Sequence, residues 1–208
     1  MSRYFFRPGD GHGLRHDPFN SIVAPRPIGW ISTRSEAGVA NLAPYSFFNA
    51  FNYHPPIVGF ASIGWKDSVA NIAATRRFGW NLASEDLGPQ MNESSGDWPS
   101  DTDEFAIASL AAEQGQIVDV PLVAAAAVSF ECVLTQLVRL EDQRQGQLDT
   151  WLVLGEVVGV HIREDCIADG NYRLELARPL LRAGGSGDYF GIRTENLVVM
   201  KRPKVTSR

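Results

Sequence analysis

Short apolar and β-branched runs bounded by turn residues mark strands along much of this chain, and helical spacing of apolar residues appears only briefly. Ile28-Gly29-Trp30-Ile31-Ser32-Thr33 reads as a strand, entered in extended form through Arg26-Pro27. After a turn at Ser35-Glu36-Ala37-Gly38, residues 39–48 read as a returning strand. Pro44 lies inside it and lacks the N–H that a central ladder needs, so an edge or a bulge is expected there. Pro55-Pro56 makes a rigid joint before a third strand, Ile57-Val58-Gly59-Phe60-Ala61-Ser62. Val69, Ile72 and Ala73 at helical spacing predict a helix over 68–77, capped by Asp67.

Residues 78–83 look like another strand, Ser84 caps a short helix, and Asp101 or Asp103 caps one more that runs to Leu110. Residues 93–100 are polar and loop-like. In the second half Val128, Phe130, Cys132 and Leu134 alternate with Ser129, Glu131 and Val133. Residues 151–163 are mostly β-branched and apolar, with Gly155 and Gly159 as bend or bulge points. A polar hairpin loop, 141–149, joins the two. A glycine cluster at 184–187 and a last strand near 196–200 complete the pattern. Six or seven strands with three short helices outside imply a mainly β chain, closed or nearly closed into an antiparallel barrel. Residues 1–18 read as an N-terminal arm and 19–208 as one domain.

Composition narrows the function. A chain of 208 residues buries roughly 70% of its unfolded surface, so it needs neither a disulfide nor a metal to fold. Nineteen basic against 24 acidic side chains give a net charge of −5. That argues against an extended phosphate-binding surface, hence against nucleic acid, and leaves room for one small basic pocket. Cys132 and Cys166 belong to no Cys-x-x-Cys pair; the expectation is that both are reduced, with a disulfide between them left open by spacing. The N-terminus does not look like a signal peptide, and the most apolar stretch, 122–134, is too short to span a bilayer and carries Glu131. A cytoplasmic protein without a membrane partner is expected.

Standard phosphate loops are missing. Gly185-Ser186-Gly187 with Gly191 has the wrong spacing for a dinucleotide fingerprint, and there is neither a Walker lysine nor a Gly-x-Ser-x-Gly elbow. His12, His16, His54 and His161 bring no ligand set with them, so no metal is assigned. Ser32, Thr33, Asn41 and Ser46 place hydroxyls and an amide among Tyr45, Phe47 and Phe48, inside strand-like sequence. The aromatics could simply be core, but buried hydroxyls and amides are costly without partners, and a planar ligand rich in heteroatoms would supply them. Ser62, Lys66 and Asp67-Ser68 bring hydroxyls, one cation and free helix N–H groups to one corner, which suits a single monophosphate. The plain alternative is a solvated Lys66 and a capping Asp67.

Those segments also carry a likeness. Arg26-Pro27-Ile28-Gly29-Trp30-Ile31-Ser32-Thr33, Asn41-Leu42-Ala43-Pro44-Tyr45-Ser46-Phe47-Phe48-Asn49, Pro55-Pro56-Ile57-Val58 and Lys66-Asp67-Ser68 with Asn71-Ile72 resemble the flavin reductase-like family of FMN-binding split barrels, in its flavoredoxin-type branch. Phe78 with Asn81, Asp103-Glu104-Phe105, Gly155-Glu156-Val157 and Gly184-Gly185 with Asp188-Tyr189 extend the match in order over about 16–200.

The resemblance implies a six-stranded antiparallel Greek-key split β-barrel with a few short helices outside, binding FMN at a homodimer interface. By the same likeness Trp30, Ser32 and Thr33, with Asn41, Ala43, Pro44, Tyr45 and Ser46, hold the flavin ring and ribityl chain. Ser62, Lys66, Asp67 and Ser68 surround the phosphate. The implied function is an FMN-dependent oxidoreductase that passes reducing equivalents from NADH or NADPH through flavin to an acceptor or a partner monooxygenase. No catalytic side chain is assigned, because the cofactor carries the reactivity. One departure stands out: members that use nicotinamide often place a histidine just before the glycine matching Gly155, and here Asp149-Thr150-Trp151-Leu152-Val153-Leu154 has none. That favours the alternative of an FMN-binding electron carrier without its own nicotinamide site. A barrel holding another phosphorylated ligand, such as a pyridoxal-type cofactor, is the third possibility.

Overall fold

The structure, a computed structural model, describes residues 1–203. The last residues of the expected domain, 204–208, lie outside the described ones. Seven strands make the principal sheet: β1 (Gly29–Arg34), β2 (Ala40–Tyr45), β3 (Phe48–Asn52), β4 (Ile57–Ile63), β5 (Arg77–Asn81), β6 (Val128–Glu141) and β7 (Gln147–Ile162). They pair antiparallel in the order β2-β1-β5-β6-β7-β4-β3. The two edges, β2 and β3, are consecutive in the chain and joined only through Ser46 and Phe47, so the sheet has to curl until its edges meet. The Phe47 carbonyl accepts from the Ala61 N–H (2.8 Å), and the Tyr45 ring lies 4.5 Å from that of Phe60 across the seam. This is a split β-barrel. The expected returning strand over 39–48 is thereby divided between the two edges, which brings the count to seven, and Pro44 sits on an edge strand as its missing N–H requires.

Every residue of β1 except Arg34 is buried, because the strand is covered on both faces. Inside the barrel, Ile31 packs with Phe60, Phe78, Cys132 and Val153. Outside, Trp30 and Leu42 pack against Met91 and Phe105. The latter two lie on short helices, α2 (Gly88–Glu93) and α3 (Glu104–Ile107), with α1 (Asp67–Thr75) preceding them in the chain. Helix α1 drives Val69 and Ile72 into the barrel core. At α3 the Asp103 carboxylate accepts from the Phe105 N–H (2.9 Å), as a capping residue should.

Register shifts fall at Leu154/Gly155 and Val157/Gly159, where the sequence places them. Crowding is why glycine stands at both: a Cβ at Gly155 would lie 2.3 Å from the Phe78 ring, and one at Gly159 2.9 Å from the Glu131 carboxylate. Both cysteines are free and buried.

Three details differ from expectation. Helix α1 is capped by Lys66, with no side-chain cap bond, and Asp67 is instead its first helical residue. Ser84 likewise makes no cap bond ahead of the 3-10 turn Glu85–Leu87. No strand forms over 196–200; a turn at Thr194–Asn196 precedes Leu197 to Met200, which are exposed. The glycine cluster turns a hairpin instead, pairing Leu180–Arg182 with Tyr189–Gly191. Residues 1–18 contribute nothing to the buried core. Among the described residues no helix is long and apolar enough to cross a membrane.

Candidate functional site

A groove of about 340 Å³ opens where the β2 edge meets the start of α1. Its walls are Asn41, Ala43, Pro44 and Tyr45 from β2, and Lys66, Asp67 and Ser68 from the entry to α1. Trp65, the loop 94–98 and Glu104 complete it. Seven of the twelve residues expected at the site therefore line one cavity. Trp30, Ser32, Thr33, Ser46 and Ser62 do not reach the groove surface.

Each of those five is bonded behind or beside the wall. The Thr33 hydroxyl accepts from the side-chain amides of Asn41 and Asn71, both at 3.0 Å, and the Asn41 amide also reaches the Ser68 hydroxyl at 3.0 Å. The Ser62 hydroxyl donates to the Gly64 carbonyl (2.9 Å), fixing the turn that delivers Lys66. The Trp30 indole N–H donates to the Ser94 hydroxyl (2.9 Å) and so anchors the loop that forms the opposite wall. Ser32 accepts from the Asn81 amide (3.0 Å) on the side away from the groove. Ser46 offers its carbonyl to the Arg26 guanidinium (3.0 Å) at the barrel seam. The buried polar groups that seemed to need a ligand are thus satisfied largely by one another.

Tyr45 is the exception. It is buried, and its hydroxyl makes no hydrogen bond. Burial pushes its pKa up; the nearby Ser68 and Ser62 hydroxyls pull it back without completing a bond, and the charges of Asp67 and Glu104 push it up further. Buried polar atoms seldom go unpaired, so an orphan in a groove wall marks a place for a ligand atom.

Charge around the groove is uneven. Among the described residues Lys66 is the one cation lining it, more than half exposed and 3.9 Å from Asp97, while Asp67, Asp97 and Glu104 are acidic. The first N–H groups of α1 have no partner within the helix, Ala70 being the first to bond back, to the Lys66 carbonyl (3.0 Å). Glu104 is 6% exposed, and one carboxylate oxygen accepts from the Leu42 N–H (3.0 Å), closing that part of the β2 edge. Burial pushes its carboxyl upward, the Leu42 N–H opposes this, and Asp67 and Asp103 reinforce it.

Sequence reasoning missed Glu104, Trp65 and the loop 94–98 as parts of the site. For Glu104 the available signal was its place between the capping Asp103 and the apolar Phe105. Trp65 meets Trp151 edge to face at 4.5 Å, and the Arg139 guanidinium lies 5.3 Å from the Trp151 ring. Trp151 therefore supports the groove rim from beneath; its indole nitrogen is buried without a partner.

A second cavity, of about 630 Å³, lies beside β6 and the end of β7. At its wall Glu131 is wholly buried. Its carboxylate accepts from the N–H groups of Gln116, Ile117 and Val118 at 2.7–2.9 Å and contacts the His161 imidazole at 2.7 Å. Burial alone would push this carboxyl up; the N–H groups and His161 more than reverse that and hold it at about 2. This is a staple for the loop 115–118. Among the described residues no three His, Cys, Asp or Glu side chains gather as a metal site.

Comparison with known proteins agrees with this arrangement. The model of the flavin reductase like domain matches residues 22–184. An uncharacterized protein of Aquifex aeolicus is 36% identical over 171 residues, 79% of this chain and 83% of its own length. Nitrilotriacetate monooxygenase component B from Bacillus cereus superposes with a TM-score of 0.85 at 24% identity, over 95% of this chain and all of that one. Flavoredoxin of Desulfovibrio vulgaris does so with a TM-score of 0.73 at 19% identity, over 82% and 88%.

Proposed function

The chain belongs to the flavin reductase-like family, and from that premise we propose that it is an FMN-dependent oxidoreductase passing reducing equivalents from NAD(P)H through the flavin to an acceptor or a partner monooxygenase. The observation that carries this is the unpaired Tyr45 hydroxyl, buried in the wall of a groove that also presents Lys66 and the open end of α1. FMN fits that donor set. Lys66 and the first N–H groups of α1 hold the phosphate. The Ser68 hydroxyl, which accepts from Asn41, keeps its own proton free to donate. Pro44, at a strand edge with no N–H of its own, leaves room along β2 for the planar ring. Trp30, Ser32, Thr33, Ser46 and Ser62 act from behind, fixing the strands and the loop 94–98. When bound, the flavin supplies hydride acceptance and electron transfer.

The groove is open to solvent beside the half-exposed Trp65, so a second copy of the chain serves to exclude water, and the working form is a homodimer. The Bacillus cereus component B supports the reading that a monooxygenase takes up the reduced flavin. A second reading, an electron carrier without a nicotinamide site, is favoured by Trp151. It occupies the stretch where nicotinamide-using relatives often have a histidine, and its ring is filled in by Trp65 and Arg139.

The test is the visible spectrum of the FMN-loaded protein during anaerobic addition of NADH and then NADPH. Bleaching of the flavin band supports the oxidoreductase. A band that persists selects the carrier, and a protein that binds no FMN refutes both.

A further inference from the structure

Among the described residues two carboxylates are buried, and they are treated in opposite ways. Glu131 is met by three backbone N–H groups and an imidazole. Glu104, nearly as buried, is met across the strands only by the Leu42 N–H, with its own backbone N–H as a further, local aid, and makes no ion pair among those described. The groups that face it are the wrong sign: Asp103 from its own helix and Asp67 from α1, with the Tyr45 hydroxyl from β2 close to both acids. Lys66, the groove's cation, is turned outward toward Asp97. Burial with so little compensation favours the neutral acid, and the carboxyl is in fact held above its ordinary range, chiefly by burial.

A phosphate entering the same groove adds negative charge beside these acids. Asp67 is partly exposed and screened by water; Glu104 is not, so it is the group that must give up its charge. We propose that Glu104 is the proton-holding residue of the groove, taking one proton from solvent as an anionic flavin binds, so that carboxylate becomes carboxylic acid and FMN affinity falls as pH rises. This rests on the flavin reading above and adds to it a residue and a proton. Linkage makes the effect reciprocal: if the proton strengthens FMN binding, FMN strengthens proton binding by the same factor. Below the free-protein titration of Glu104 the affinity is flat. Through the window between its free and bound titrations it weakens up to tenfold per pH unit, and above that window it is flat again.

The experiment measures the FMN dissociation constant by flavin fluorescence from pH 5 to 9, in the wild type and in Glu104→Gln, whose amide oxygen can still accept from the Leu42 N–H. The ionisation of the FMN phosphate is common to both proteins and cancels in their ratio. The expected result is equal affinity at the acid end and several-fold tighter binding by Glu104→Gln at the alkaline end. Asp67→Asn is the second variant, which keeps the proposal testable should the first not fold. It removes a charge that favours the neutral acid and should move the window to lower pH. A wild-type-to-variant ratio that does not change with pH in either variant overturns the proposal while leaving flavin binding intact. Absence of FMN binding by the wild type overturns the flavin reading itself, and this inference with it.

Discussion

Replacing Glu131 by glutamine tests a buried carboxylate that makes four hydrogen bonds. The folded-state carboxyl lies at about 2 against an ordinary value of 4.5, and at about 1.4 kcal/mol per unit the difference is worth about 3 kcal/mol of stability. The sign follows from the direction of the shift. A depressed carboxylate stabilises the fold fully above about pH 4.5, and the contribution is lost as pH falls through about 2. Glutamine has nearly the same shape but one acceptor oxygen where the carboxylate has two, so part of the N–H set of Gln116, Ile117 and Val118 faces an amide NH₂ instead. The expected cost at pH 7 is about 2–3 kcal/mol, since an unsatisfied buried donor alone costs about 1–3 kcal/mol. Urea unfolding followed by tryptophan fluorescence at pH 7, 3 and 2 reads it out. The gap between wild type and variant should fall to about half by pH 3 and nearly close at pH 2. A gap of constant size across that range would show that the charge on Glu131 is not what the loop holds, and the electrostatic account would be wrong.

Other expectations follow from the groove and the sheet. Lys66→Ala should weaken FMN about tenfold and leave riboflavin unaffected, since a charge-assisted contact is worth about 1.5–3 kcal/mol and an exposed lysine sits at the low end; equal loss for both ligands would remove Lys66 from the phosphate. Tyr45→Phe deletes an unpaired buried hydroxyl, so the ligand-free protein should be no less stable by thermal unfolding, yet bind FMN more weakly. Lost stability there would mean that the hydroxyl already has a partner. Gly155→Ala brings a Cβ to 2.3 Å from the Phe78 ring and should destabilise by about 1–3 kcal/mol in chemical denaturation; a neutral result would refute crowding as the reason for glycine there.

The strands with buried faces were legible in the sequence through short apolar, β-branched runs bounded by turn residues. β1, β4 and the inner halves of β6 and β7 are such runs, and Pro44 marked an edge or a bulge by chemistry alone. Residues 135–141 and 147–150 did not show themselves as strand, since the outer β6–β7 ribbon has no buried face to imprint a pattern. The strand expected near 196–200 failed for the converse reason: an apolar, β-branched run becomes strand only when it pairs, and Leu197 to Met200 stay exposed. The site was half legible. Residue types pointed to the groove, but the pairing of Thr33 with Asn41 and Asn71, or of Ser32 with Asn81, depends on strand neighbours that only the fold brings together. Glu104 was hidden because the burial of an acid leaves no mark on its neighbours in the chain.

The link through Ser46 and Phe47 bears on how this barrel comes apart. Two wings flank the β6–β7 hairpin, one ending in β2 and the other in β3, and two residues leash their outer edges together. Two residues span at most about 7 Å, so neither wing can swing away while the other stays docked. Opening therefore involves both wings at once, and the groove, built on β2 at the leash, shares the cooperativity of the whole barrel rather than fraying ahead of it. A single cut between Ser46 and Phe47 should separate the two motions, turning one unfolding transition into two.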